Sequence, residues 1–153
     1  MQIFVRRGSK SDCELLELLE SEGRSSLDKW RGGSRLAKDV PVVAPNWLAA
    51  LSDESLGIFV AGIDQTLMGF LLARLSTTVI GEIATIEQVF VTKDARNLGV
   101  GDALISATVD WAKGLKIVAL DALALPGDRE TKNLYERAGL VARLITVTTD
   151  LHD

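Results

Sequence analysis

Three strand-like runs, at 58–63, 67–75 and 82–92, the last rich in Ile, Val, Thr and Phe, follow one another with only Asp64-Gln65 and a few further residues between them. Connections this short join neighbouring strands antiparallel, because a parallel return needs a crossover of a dozen residues or more. The period then changes. Residues 101–113 carry Ala103, Leu104, Ala107, Thr108 and Trp111 at helical spacing, ending near Gly114, and a strand-like run at 117–125 follows. Strand, helix, strand implies a right-handed crossover and one parallel pair within a mixed sheet.

The flanks fit around this centre. Residues 3–6 read as a short first strand, and Ser11-Asp12-Cys13-Glu14 has the spacing of a capping box. Leu15, Leu16, Leu18 and Leu19 follow at helical spacing, with Gly23 as the expected stop. Between 24 and 44 the pattern is mixed: Leu27 with Trp30 suggests one helical turn, and Gly32-Gly33 breaks it. A second helix is expected with Pro45 at its first position, running through Trp47, Leu48 and Leu51. Pro126-Gly127-Asp128 is a loop, 130–138 a helix and 141–150 a last strand. The predicted order is β-α-α-β-β-β-α-β-α-β in a single domain spanning 1–153. No repeat or linker interrupts it.

Composition narrows the chemistry. The chain has 153 residues with one His, one Cys and one Tyr. A lone Cys forms no internal disulfide, and with a lone His it cannot build an all-protein zinc cage, so no metal is expected. His152 is next to last, a poor place for triad catalysis. Net charge is −4, which argues against a general nucleic-acid binder. Arg24, Lys29, Arg31, Arg35 and Lys38 form a local basic cluster, read as a solvated face. The longest apolar run, at 67–73, is far below the ~20 residues of a membrane span, and the N-terminus lacks a signal-peptide pattern. A soluble, cytoplasmic protein without membrane attachment is the expectation. Chemistry is left to carboxylates, Lys, the single Tyr and backbone amides.

The most informative segment is Arg96-Asn97-Leu98-Gly99-Val100-Gly101-Asp102-Ala103. A strand that enters a glycine-containing turn and opens a helix can hold an anion on its first-turn amides, aided by the helix dipole. The dinucleotide fingerprint fails because Leu104 stands where a third Gly is needed, and the P-loop fails for lack of Gly-Lys-Ser/Thr. Arg-x-x-Gly-x-Gly does fit. With it, the element order and the late helix Asn133-Leu134-Tyr135-Glu136-Arg137-Ala138-Gly139-Leu140, the sequence resembles the GCN5-related N-acetyltransferase superfamily.

The resemblance implies an α+β (α/β) fold: one mixed, mostly antiparallel, twisted sheet of about six to seven strands with splayed central strands, flanked by about four helices. It implies acetyl-CoA as co-substrate and an amine as acceptor. Carried over by motif position, the amides around Leu98, Gly99, Val100, Gly101, Asp102 and Ala103 would cradle the pyrophosphate, with Arg96 and Asn97 beside them. The family usually has Gly where Asn97 stands, which suggests a more constrained loop. Backbone groups of Val89 and Val91 would pair with the pantetheine arm, and the Val89 amide would face the developing oxyanion. Asn133 matches a position that contacts the pantetheine or the following loop. Tyr135 matches the general acid that protonates the departing thiolate. Leu140 stands where Phe is commoner.

Glu87 is conspicuous on chemical grounds alone. It sits within Ile86-Glu87-Gln88-Val89-Phe90-Val91, a run otherwise apolar on both faces apart from Gln88. A carboxylate there must be paired, at a bulge or facing a cavity. In the family that position often supplies the base that removes the amine proton through water, a role favoured by a raised proton affinity, and Gln88 is a candidate substrate ligand. Trp30, Trp47 and Trp111 read as core or pocket wall, Cys13 as a small buried hydrophobe, and Asp121 as structural or facing substrate. Two other function classes compete. A CoA-binding regulatory module would lack the acid or the base, and a nucleotide-binding enzyme would need the missing Gly or Lys. The acceptor, a small molecule in preference to a protein, is not specified by the residues. A homodimer is compatible with the family.

Overall fold

β1 (Ile3–Arg7) is the edge of a five-stranded sheet ordered β1-β2-β3-β4-β5, with β2 at Leu56–Ile63, β3 at Thr66–Thr78, β4 at Gly81–Val91 and β5 at Ala119–Ala122. The first four strands are mutually antiparallel and β5 lies parallel to β4. The computed structural model describes residues 1–152. Helices α1 (Cys13–Ser26), α2 (Gly33–Asp39), α3 (Trp47–Leu51), α4 (Val100–Leu115) and α5 (Arg129–Arg137) complete the order. The expected meander and parallel crossover are both present.

The sheet is covered on both faces, which explains its unbroken apolar runs. Ile58, Val60, Phe70 and Leu72 pack with Leu16, Leu19 and Trp47 from α1 and α3. Their strand neighbours Phe59, Ala61, Leu71 and Ala73 pack with Val100, Leu104 and Ile105 of α4 and Tyr135 of α5. The period-two alternation thus feeds two separate cores.

Several local expectations are corrected. The capping box is shifted two residues towards the N-terminus: Ser9 and Asp12 form it on a short 3-10 turn, and α1 starts at Cys13. Gly23 does not stop α1. It lets the helix approach β4, since a Cβ there would lie 3.0 Å from Phe90 Cβ. The turn at Leu27–Lys29 ends at Trp30, ahead of the glycines, and Gly32, at φ +79, caps α2, a helix the broken pattern at 24–44 does not reveal. α3 begins at Trp47, because Pro45 lies in a turn closed by Asn46 N–H donating to the Val43 carbonyl at 2.8 Å.

The largest departure is at the C-terminus. Residues 141–150 form no strand, and Val141, Leu144, Ile145 and Val147 are 73–87% exposed. β propensity is realised only against a partner edge, and β5 offers four residues rather than the nine expected at 117–125. Two side-chain contacts tether the segment: Arg143 Nη2 to Asp121 Oδ2 at 2.8 Å and Arg35 Nη1 to Thr148 Oγ1 at 3.3 Å. Among the described residues the sheet therefore has five strands, not six or seven.

The shifted cap has a measurable consequence. Asp12 is buried, accepts two hydrogen bonds from Arg6 at 2.7 and 3.0 Å, and accepts the Ser9 N–H at 2.8 Å. The Arg6 guanidinium, then the Ser9 amide, hold its carboxyl below the ordinary range against the opposing effect of burial. A depressed carboxyl stabilises the fold fully above its unfolded value of about 3.9 and loses that contribution as pH falls through the lower folded value. Arg6→Ala should lower stability by about 1 kcal/mol at pH 7 and flatten the acid limb of a denaturation-versus-pH curve. An unaltered acid limb would remove this pair from the stability account.

Candidate functional site

The pairing of β4 with β5 covers only Ile83–Ile86 opposite Ala119–Ala122. From Glu87 to Val91, β4 has β3 on one side and, among the described residues, no strand on the other. Thr92 N–H donates to the Met68 carbonyl at 2.8 Å, pointing towards β3. Backbone groups alternate along a strand, so Val91 and Val89 turn their amides and carbonyls outwards, into the gap. The Val91 carbonyl indeed accepts Arg96 Nε at 3.1 Å on that side.

Glu87 marks the start of this gap. Leu72 pairs with Gln88 and Ala73 with Ile86, which leaves Glu87 as the extra residue of a β-bulge. Its carboxylate accepts Arg74 Nε at 3.0 Å, and its side chain is 16% exposed. All three sequence expectations hold together: it is paired, bulged and on the wall of a cavity.

Beyond β4 the chain turns into α4. Asn97 takes φ +63 and Gly99 φ +97, both left-handed. Asn tolerates that region, which is how this turn closes where the family usually has Gly. A Cβ on Gly99 would stand 2.9 Å from Ile3 Cδ1, so the turn lies directly against β1. Val100 and Gly101 open α4, a helix of 16 residues, whose first-turn amides have no partner within the helix. Asp102, also in that turn, is neutralised by Arg137 at 3.0 Å.

α5 is capped by Asp128, which accepts Thr131 N–H at 3.2 Å and Thr131 Oγ1 at 2.7 Å. The cap aims α5 so that Tyr135 is 6% exposed, packed in the α4 core. Burial, and secondly the charge of Asp128, push its phenol above the ordinary value; no hydrogen bond contributes. The phenol keeps its proton at any working pH.

Two cavities meet at the gap. The outer one, about 210 Å³, is lined by Val89, Val91, Arg96, Asn97, Gly99 and Gly101. Asp102 and Asn133 also border it, with Lys29 and Trp30 on the opposite wall. The inner one, about 70 Å³, is lined by Glu87, Gln88, Tyr135, Leu36, Val40 and Leu125, among others. Gly23, Leu27, Val89, Phe90, Asp128 and Thr131 belong to both, so the two adjoin. Three motif residues lie outside the cavity walls: Val100 is fully buried, Leu98 is 40% exposed and Ala103 is half-buried behind the first turn.

The structure also revises some side chains. Arg96 borders the outer cavity together with the turn, its guanidinium 5.7 Å from the Phe90 ring and paired with Glu130 at 3.7 Å. Trp30 is pocket wall, Trp47 is core against Phe70, and Trp111 packs edge-on against Phe59. Cys13 is half-buried rather than buried, and Asp121 pairs with Arg143. Of the basic cluster, Arg24 is not solvated: it donates to the carbonyls of Ala37 and Val40, capping α2. Sequence reasoning misses Glu20. It lies on the same helical stripe as Leu16, and a carboxylate on an apolar stripe is the signal that could have found it.

Among the described residues no helix is long and apolar enough to cross a membrane, and no group of three His, Cys, Asp or Glu is placed to hold a metal ion. A sheet opened beside a glycine turn, with acid and amide groups along the opening, defines a class. Residues 16–140 match the family model described as the acetyltransferase (GNAT) family, and the chain belongs to it. Solved structures agree in fold. One is a transcriptional regulator from Bacillus halodurans C-125, 19% identical with TM-score 0.73, covering 98% of this chain and 100% of that one. Another is the ribosomal-protein-alanine N-acetyltransferase of Brucella melitensis biovar Abortus 2308, 18% identical with TM-score 0.69, covering 98% and 100%. A third is AAC(6')-Iy in complex with the bisubstrate analogue CoA-S-monomethyl-acetylneamine, 18% identical with TM-score 0.67, covering 98% and 99%. No curated protein matches the sequence.

Proposed function

We propose that this protein is an N-acetyltransferase that moves the acetyl group of acetyl-CoA to a primary amine, a small molecule in preference to a protein, by direct attack within a ternary complex. The observation that carries the reading is the unpaired outer edge of Glu87–Val91, which joins a phosphate-type turn at one end to a carboxylate and a phenol at the other. The residues suit the co-substrate. Outward Val89 and Val91 groups offer strand-like hydrogen bonds to an amide-bearing arm, and the Gly99–Gly101 turn offers amides to a pyrophosphate. Lys29, Arg96 and Arg137 supply cations, two of them by exchanging a carboxylate partner for phosphate.

Acetyl-CoA supplies a thioester carbonyl open to attack. The acceptor nitrogen bonds to that carbon as the carbon–sulfur bond breaks. The Val89 N–H stabilises negative charge on the carbonyl oxygen, Tyr135 gives its proton to the departing sulfur, and Glu87 takes the proton lost by the nitrogen, through water. Glu87 already shares one oxygen with Arg74, so its second oxygen serves as the proton acceptor.

Titration calorimetry with CoA tests the reading. Saturable binding at one site per chain is expected, and CoA at 100 times its Kd should stabilise the fold by about 2.7 kcal/mol, a rise in Tm of about 5 °C or more. No heat and no Tm shift at millimolar CoA would sink the assignment.

A further inference from the structure

Glu20 is 1% exposed, yet no cation pairs with it among the described residues. Its partners are three neutral donors. Oε2 accepts Val43 N–H at 2.9 Å and Gln88 Nε2 at 2.8 Å, and Oε1 accepts Ala44 N–H at 2.9 Å. Burying a carboxyl group is costly unless hydrogen bonds replace its water, and these three donors do so. Glu20 thereby reaches from α1 across to β4 and grips the side chain of a residue on the inner cavity wall.

The consequence lies in the far end of that side chain. An amide has one donor end and one acceptor end, and a carboxylate engages only the donor end. With Nε2 committed to Glu20, Gln88 cannot rotate its amide by half a turn without placing oxygen against oxygen. Oε1 is the end that remains; it takes no donor from the described residues and is not sealed in the core. Gln88 follows Glu87 in the chain, and both line the cavity that also holds Tyr135.

We infer that Glu20 is a positioning residue that locks Gln88 with its carbonyl oxygen towards the inner cavity, where that oxygen accepts an N–H of the acceptor amine. The inference rests on the acetyltransferase reading and adds to it how the nitrogen is recognised. A neutral acceptor suits this task. It holds an N–H without the charge attraction by which a second carboxylate would favour the ammonium form, whose lone pair is unavailable for attack. Glu87 is then free to receive the proton while Gln88 orients the nitrogen.

The test is a double-mutant cycle of Glu20→Gln and Gln88→Leu, with acetyl-CoA and benzylamine, putrescine, alaninamide or kanamycin as acceptors, followed by thiol release. Each single change should raise the KM of the best-used amine about tenfold and leave the KM of acetyl-CoA within about twofold. In the double variant the amine KM should rise no further than about twofold beyond either single, because Glu20 acts through Gln88. Additive losses of about a hundredfold, or an unchanged amine KM in Glu20→Gln, would overturn the inference while leaving the acetyltransferase reading intact. Turnover of no amine would overturn both. Should Glu20→Gln fail to fold, the wild-type side-chain 15N–1H signals of Gln88 decide. Two resolved signals with one proton protected from exchange support the lock, and freely exchanging signals refute it.

Discussion

Tyr135→Phe should lower kcat by about 10²- to 10³-fold while leaving acetyl-CoA affinity unchanged. The substitution removes one oxygen from a ring that is otherwise packed among α4 side chains, so the fold has little reason to respond. The hydroxyl has no hydrogen-bond partner contributing to its proton affinity, and burial, aided by Asp128, keeps its proton on. The shift keeps the phenol in the protonated form that a general acid needs, and at the same time makes it a weaker donor than an ordinary tyrosine. The direction of the shift also fixes a pH expectation. A raised phenol stays protonated through the whole range over which an amine gains nucleophilicity, so the rate should show no alkaline fall due to Tyr135 up to about pH 10. Steady-state kinetics with calorimetry on the same preparations separates the outcomes. An unchanged kcat would make Tyr135 a packing residue and leave the thiolate to take its proton from solvent.

Gly99→Val should weaken CoA binding by about thirtyfold or more and lower Tm by about 5 °C. Two independent obstacles meet at this residue. Its φ of +97 lies where a β-branched side chain is strained, and a Cβ would stand 2.9 Å from Ile3 Cδ1. The Ile3 side chain can yield, but the backbone cannot change hand without turning the first amides of α4 away from the gap. Gly114→Ala is the matched control: nothing lies within 4 Å of its Cβ, and it sits inside α4, where Ala is preferred. That variant should bind CoA normally with equal or higher Tm. Equal CoA affinity in the Gly99→Val variant and the wild type, measured by calorimetry, would separate the turn from the cofactor.

How much of this was legible in advance depends on the range of the forces involved. The meander could be read because Asp64-Gln65 and the alternation around it are local, and β3 and β4 formed within three residues of the expected bounds. The turn at Asn97–Gly101 could be read for the same reason. The strand expected at 141–150 could not, since alternation records a capacity for pairing and β5 supplies too short an edge. Gly23 misled because helix termination and close helix–strand approach ask for the same residue, and only Phe90 distinguishes them. Glu20 was hidden among Glu14, Glu17 and Glu22 on one helix. Its partners Val43, Ala44 and Gln88 are brought to it by tertiary structure, which periodicity does not describe.

The contact between Ile3 and Gly99 also bears on when the protein becomes competent. β1 finds its partner only when residues 59–63 are in place, and its side chain then closes on a turn far downstream. Contacts between such distant points form late, because the intervening chain must surrender its loop entropy first. The turn that would grip a pyrophosphate is therefore expected to be set late in folding. CoA-binding competence should then lag behind recovery of helix content in a refolding experiment, and simultaneous recovery of the two would refute the order.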